Sequence, residues 1–124
     1  METKPFSASV TFTPVAAPNT AVIVLQGDIN IGAETQLNAA YTAAEQHNSP
    51  VILLNFHHVN YINSTGIALI VGLLARARKA RRQLVVAGLS PHYQEIFTLT
   101  RLSDFMQIYP DQTAALAAAA NGNV

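Results

Sequence analysis

Val51-Ile52-Leu53-Leu54-Asn55-Phe56, then Gly66-Ile67-Ala68-Leu69-Ile70-Val71-Gly72-Leu73-Leu74, then Leu84-Val85-Val86-Ala87 is the most informative succession in this chain. The first and last runs are short, apolar on both sides and rich in branched residues, the pattern of strands buried on both faces of a parallel sheet. Between them the apolar positions recur at three- and four-residue spacings, which predicts a helix from Gly66 to about Arg82. A buried strand, a helix and a second buried strand make a parallel βαβ unit. Ile67, Ile70, Val71 and Leu74 form the helix stripe assigned to the core. Leu69 and Leu73, flanked by small Ala68 and Gly72, are assigned to a second, outward stripe where a partner's backbone can come close.

Upstream, Ser7 to Thr13 alternates, with Val10 and Phe12 on one side, and reads as a half-buried strand. Pro14 to Thr20 reads as a turn back into Ala21–Gln26, a central strand closed by Gly27-Asp28, so the two strands form a hairpin. From Ile31 the period changes. Ala33, Leu37, Ala40, Tyr41 and Ala44 mark an amphipathic helix to about His47, stopped by Asn48-Ser49-Pro50. An uncharged loop is expected from His57 to Thr65. Downstream, Ser90 and Pro91 are a cap and first residue for a short helix through Leu99. Phe105–Tyr109 reads as a short edge strand, and Asp111 as the cap of a final Ala-rich helix. The expected class is α/β: a mixed, mostly parallel sheet of four to five strands after an N-terminal hairpin, with helices packed against it.

At 124 residues the chain is expected to be one domain, with residues 7–119 as its folded core. Half of the residues are apolar and only 11% are charged, which excludes a disordered chain. Seven cations balance seven carboxylates, which argues against a direct nucleic-acid partner or an anionic membrane surface. The absence of cysteine removes disulfides, thiolate nucleophiles and cysteine-based metal centres. The longest apolar run, Ile67 to Ala75, falls well short of the roughly 20 residues that span a bilayer. The opening METKPFSASV has no secretory pattern, so no membrane insertion and a cytoplasmic location are expected.

Enzyme chemistry finds little support. His57 and His58 are adjacent and expected on opposite faces, and His47 and His92 fall on other elements, so no metal site is expected. Glu2, Asp28, Glu34, Glu45, Glu95, Asp104 and Asp111 are scattered without the spacing of an acid–base pair. Neither a nucleophile elbow nor a phosphate-binding glycine loop occurs. The basic cluster Arg76, Arg78, Lys79, Arg81 and Arg82 has two readings: cations complementing the C-terminal end of a helix, or a surface for an acidic partner. With no aromatic residues interleaved, it does not suit nucleic acid. The remaining feature is the helix start, where Ser64 or Thr65 is expected to be the N-cap, beside Tyr61 and Ile62 in a segment without charge.

Asn63-Ser64-Thr65-Gly66-Ile67 resembles the Asp-Ser-[Ser/Thr]-Gly-[Leu/Ile] signature of STAS domains, and in particular of bacterial anti-sigma factor antagonists. Gly27-Asp28-Ile29-Asn30 is similar to that family's Gly-Glu-Leu-Asp, and the run from Leu84 to Pro91 to its fourth strand and following helix start. Phe97-Thr98-Leu99-Thr100-Arg101-Leu102 resembles its F-x-x-[ST]-x-L stretch. The resemblance implies a non-catalytic regulatory module without cofactor. Its partner would be an anti-sigma factor that is also a serine kinase, bound and sequestered by the unphosphorylated form. Phosphorylation at Ser64, with Thr65 as second choice, would switch it off, and a PP2C-type phosphatase would restore it. The implied contact residues are Asp28, Asn30, Asn63, Ser64, Thr65, Gly66, Leu69 and Leu73. Asn63 and Asn30 each stand where the family commonly has Asp. That departure keeps a second reading open: a STAS scaffold that is not phosphorylated, or a ligand-binding accessory subunit of a transporter or signalling complex.

Overall fold

The computed structural model describes residues 4–12, 20–122 and 124. Strand β1 (Ser7–Phe12) leads to β2 (Thr20–Ile29), a 3-10 turn (Ile31–Ala33) and α1 (Glu34–Gln46). Next come β3 (Val51–Ile62), α2 (Ser64–Lys79), β4 (Gln83–Ala87) and α3 (Pro91–Leu99). A second 3-10 turn (Leu102–Asp104), β5 (Gln107–Tyr109) and α4 (Gln112–Ala120) complete the described order. Among these residues the strands form one five-stranded sheet in chain order, with β1 antiparallel to β2 and every other pair parallel. The expected mixed, mostly parallel α/β architecture is therefore the one found.

Strand periodicity divides the apolar residues between two layers. Ala21, Ile23 and Leu25 of β2, Ile52, Leu54 and Phe56 of β3, and Leu84 and Val86 of β4 join the main core with the buried residues of α1, α2 and α3. Right-handed crossovers between successive neighbouring strands put all three connecting helices on one face of the sheet. Val22, Val51, Leu53, Val85 and Ala87 point the other way and pack against Ala115 and Ala119 of α4. The small side chains of Ala115 and Ala119 let α4 approach the sheet closely, with Leu116 partly buried beside them.

Several sequence boundaries shift. Gly27-Asp28 does not close β2, which continues to Ile29. Gly27 lies inside the strand at φ +89°, and a Cβ there would stand 2.1 Å from the Pro5 carbonyl oxygen, so only glycine admits the incoming segment. The expected loop from His57 is in fact mostly strand, since β3 runs to Ile62 beside the extended β2. Two register irregularities absorb the extra β3 residues. They also place the rings of His57 and His58 edge to face, 4.9 Å between centroids, rather than on opposite faces. Thr20 belongs to β2; the rest of the expected 14–20 turn, and Thr13, lie outside the described residues. The last strand begins at Gln107, because Leu102–Asp104 forms a turn that holds Phe105 out of the sheet.

The basic cluster divides. Arg76 pairs with Glu45 and lies 4.6 Å over the Tyr41 ring, while Arg82 donates to the Ser49 carbonyl at 2.8 Å. These two cations tie the end of α2 to the end of α1. Burial, with the Glu45 carboxylate second, raises the Tyr41 phenol above its usual pKa against the lowering influence of Arg76 and Arg82. The helix end is closed by paired bonds, Arg82 N–H to the Ala77 carbonyl at 2.8 Å and Arg81 N–H to the Arg78 carbonyl at 3.1 Å. That motif puts Arg81 in the left-handed region at φ 58°, where glycine is normally found. Arg81→Gly is accordingly expected to raise stability by about 0.5 kcal/mol, the relief of backbone strain outweighing the added freedom of the unfolded chain. A urea midpoint at or below that of the parent would contradict this.

Candidate functional site

The carboxyl ends of the parallel strands, where open α/β sheets usually place their sites, bring together the residues singled out by sequence. Register pairs Ile29 with Ile62 at the ends of β2 and β3, so Asn30 and Asn63 leave the sheet side by side. The Asn63 N–H donates to the Ile29 carbonyl at 3.2 Å, locking the two strand ends together. Each asparagine then turns its chain. Asn30 Oδ1 accepts from the Gly32 N–H at 2.9 Å and starts the 3-10 turn. Asn63 Oδ1 accepts from the Gly66 N–H at 2.8 Å and starts α2.

Asn63 is thus the N-cap, not Ser64 or Thr65. The carboxamide oxygen does what a carboxylate does at that position, and such a cap is worth about 1 kcal/mol. Consequently Ser64 is the first helical residue and does not spend its hydroxyl on capping. Ser64 is exposed, Thr65 half-buried and Gly66 buried. Its position explains Gly66: a Cβ there would lie 2.1 Å from the Ile29 carbonyl oxygen and 2.9 Å from Ile62 Cγ2. The first turn of α2 therefore rests on the end of β2, with the Ser64 hydroxyl on the opposite, outer side.

That seating sets the rotation of the helix. Ile70, Leu73, Leu74 and Ala77 follow Gly66 on the buried side. Leu73, expected outward, is only 1% exposed, and Leu69 is partly buried against the main core. Val71, expected in the core, is instead 44% exposed. The outward strip is Ser64, Ala68, Val71, Gly72 and Ala75. The small residues Ala68 and Gly72 do face outward as expected, and a Cβ added at Gly72 would meet nothing within 4 Å.

Asp28 sits one step back from this edge. Its Oδ2 accepts from the Lys4 N–H at 3.1 Å, while its own N–H donates to the Lys4 carbonyl at 3.0 Å. This carboxylate organises the entering segment, and Asp28 remains partly exposed beside Asn30. Beneath the edge, the Tyr93 hydroxyl accepts from the Ile62 N–H at 2.9 Å, fixing the end of β3 from α3. Ser90 caps α3 by accepting from the Tyr93 N–H at 3.3 Å, as the sequence indicated. Two exposed apolar side chains flank the asparagines and were not among the expected contacts: Ile31, 63% exposed, and Tyr61, 55% exposed. Ile31 carried a usable signal, an aliphatic residue set between Asn30 and Gly32 in a turn too short to bury it.

The edge therefore presents a serine hydroxyl at a helix start, ringed by carboxamides and exposed apolar groups. Among the described residues, no cluster of His, Asp or Glu able to hold a metal ion accompanies it. This arrangement can be docked upon, and it can carry a charged group on the hydroxyl.

The profile of the STAS domain family matches residues 12–115. The chain is 29% identical over 99 residues to BtrV of Bordetella bronchiseptica, covering 80% of this chain and 83% of BtrV. It is 28% identical over 82 residues to the anti-sigma-B factor antagonist of Staphylococcus aureus, covering 66% of this chain and 76% of that protein. Among solved structures, the antagonist SpoIIAA superimposes in its unphosphorylated form with a TM-score of 0.69 at 22% identity, covering 94% of this chain and 99% of SpoIIAA. Phosphorylated SpoIIAA from Bacillus gives 0.65 at 20% identity, covering 88% and 97%.

Proposed function

Since this chain belongs to the STAS domain family, we propose that it is an anti-sigma factor antagonist whose docking edge is switched off by phosphorylation of Ser64. The unphosphorylated edge would bind and sequester an anti-sigma factor that is also a serine kinase, and a PP2C-type phosphatase would reset it. On this reading the chain catalyses nothing and works in the cytoplasm. Among the described residues, no helix is long and apolar enough to cross a membrane.

One observation carries the reading: the Ser64 hydroxyl is exposed at the first position of α2 because Asn63 supplies the cap. A kinase can reach that oxygen without unwinding the helix. The phosphate would sit over the N–H groups of Ser64 and Thr65, which lack intrahelical acceptors, at the positive end of the helix dipole. The family relation supports the same reading, since the S. aureus relative is an anti-sigma-B factor antagonist and SpoIIAA is known in both phosphorylated and unphosphorylated forms. The Asn63 departure does not oppose it, because the carboxamide makes the capping bond and places no second negative charge beside the phosphate. Asn30 likewise caps its own turn without a charge.

Incubation with the cognate anti-sigma factor kinase and ATP is expected to add one phosphate by intact mass, and Ser64→Ala to abolish the addition. Full incorporation into the Ser64→Ala protein would move the acceptor elsewhere. No incorporation into the parent chain would remove the switch.

A further inference from the structure

Beyond Ser64, the outward strip of α2 runs into an apolar groove of about 520 Å³ between this helix and the turn after α3. Val71, Leu74, Ala75, Leu102 and Phe105 line it, and Phe105 is 53% exposed. Arg78 and Arg101 also line the groove, and the Arg78 guanidinium lies 5.0 Å from the Phe105 ring centroid. With Arg76 and Arg82 committed to α1 and the segment after it, Arg78, Lys79 and Arg81 have no ion-pair partner among the described residues. Asp104 is the neighbouring carboxylate, and Arg101 holds it at 2.7 Å. The groove is apolar within and positive at its rim.

We infer that this groove is a second docking point for the same anti-sigma factor. It would take an acidic segment whose apolar side chains seat against Val71 and Phe105 and whose carboxylates meet Arg78 and its neighbours. The inference rests on the function proposed above. Its occupant follows from charge and reach. An apolar trough with cations at its rim recognises apolar groups flanked by carboxylates. At 1.5 Å rise per residue, Val71 lies about 10 Å and Arg78 about 21 Å from Ser64 along the helix. An interface of standard size covers about 800 Å² per partner, a disc of roughly 16 Å radius. A partner centred on Ser64 therefore overlies Val71 at the mouth of the groove, and a segment extending about 5 Å beyond that disc meets Arg78. Ala68, Gly72 and Ala75 put no large side chain in its way.

The groove contributes to affinity independently of the switch. Arg78 is more than two Debye lengths from Ser64 at physiological salt, where that length is about 8 Å, so a phosphate on Ser64 leaves the rim positive.

The test is calorimetric titration of the full chain with the cognate anti-sigma factor, using Phe105→Ala and Arg78→Glu, each alone and combined with Ser64→Asp. Both altered residues are exposed, and thermal melting verifies that the variants fold. Each groove variant is expected to weaken binding about tenfold, with the Arg78→Glu effect shrinking at about 0.5 M salt. The same factor is expected in the Ser64→Asp background. Parent affinity in both groove variants, with Ser64→Asp still impaired, would overturn the second docking point and leave the Ser64 reading standing. A groove effect that vanishes in the Ser64→Asp background would overturn its independence. No binding by the unmodified chain would overturn both readings together.

Discussion

Phosphate on Ser64 is expected to weaken anti-sigma factor binding by about 100- to 1000-fold while the melting temperature stays within a few degrees of the parent. The two halves of this result have separate causes. A phosphoserine adds roughly −1.5 to −2 charges and three acceptor oxygens. Within the free protein those charges lie in solvent at the amino end of α2, where the dipole and spare N–H groups favour them by about 0.3–1 kcal/mol. Beneath a docked partner the same charges lose water without gaining a counter-charge. An unpaired buried charge costs about 3–5 kcal/mol, and each 1.4 kcal/mol is a factor of ten in affinity. Ser64→Asp, with one charge on a shorter side chain, should give a smaller loss of the same sign. Titration calorimetry of both forms against the anti-sigma factor, beside differential scanning calorimetry of each alone, separates binding from folding. Equal affinities would end the electrostatic account. A large fall in melting temperature would mean instead that phosphate disturbs the helix start.

The second large effect concerns two glycines on the same helix. Gly66→Ala is expected to destabilise the fold by about 2–3 kcal/mol, because the new methyl meets the Ile29 carbonyl oxygen, a backbone atom that cannot rotate aside. This figure is net of the helix propensity that alanine contributes, about 1 kcal/mol. The corresponding fall in melting temperature is about 8–12 °C. Gly72→Ala is expected to do the reverse, a gain of up to about 1 kcal/mol, since a Cβ there meets nothing within 4 Å. Urea unfolding of the two variants measures both. Stabilisation by Gly66→Ala would show that α2 does not rest on the end of β2. Gly66→Ala should also weaken docking, because relief of the clash displaces Ser64 along with the first turn.

Much of this architecture is legible one element at a time. VILLNF and LVVA read as strands because a run apolar on both sides has no solvent face to offer, and they are buried strands of the parallel sheet. Ser90-Pro91 and Asp111 read as helix starts, and each side-chain oxygen caps the helix assigned to it. These are local effects, decided within a few residues. Misassignments appear where a distant segment takes part. His57–Ile62 looks like loop because its polar residues break the apolar run, yet β2 offers it a ladder to join. Asn63 takes the cap ahead of Ser64, which propensity alone does not separate, since either residue is a good cap.

The order of strands and helices, the parallel βαβ core, and the polar helix start with its family signature are all written in the chain of residues. Such properties depend on hydrophobic period and backbone preference, which act between near neighbours. The facing of α2 is set instead by packing between segments distant along the chain. Two nearby positions of an apolar helix differ little in hydrophobicity, so Leu73 and Val71 could exchange roles on paper. The carbonyl of Ile29, beneath Gly66, removes that freedom, turning Leu73 inward and leaving Val71 on the same outer side as Ser64.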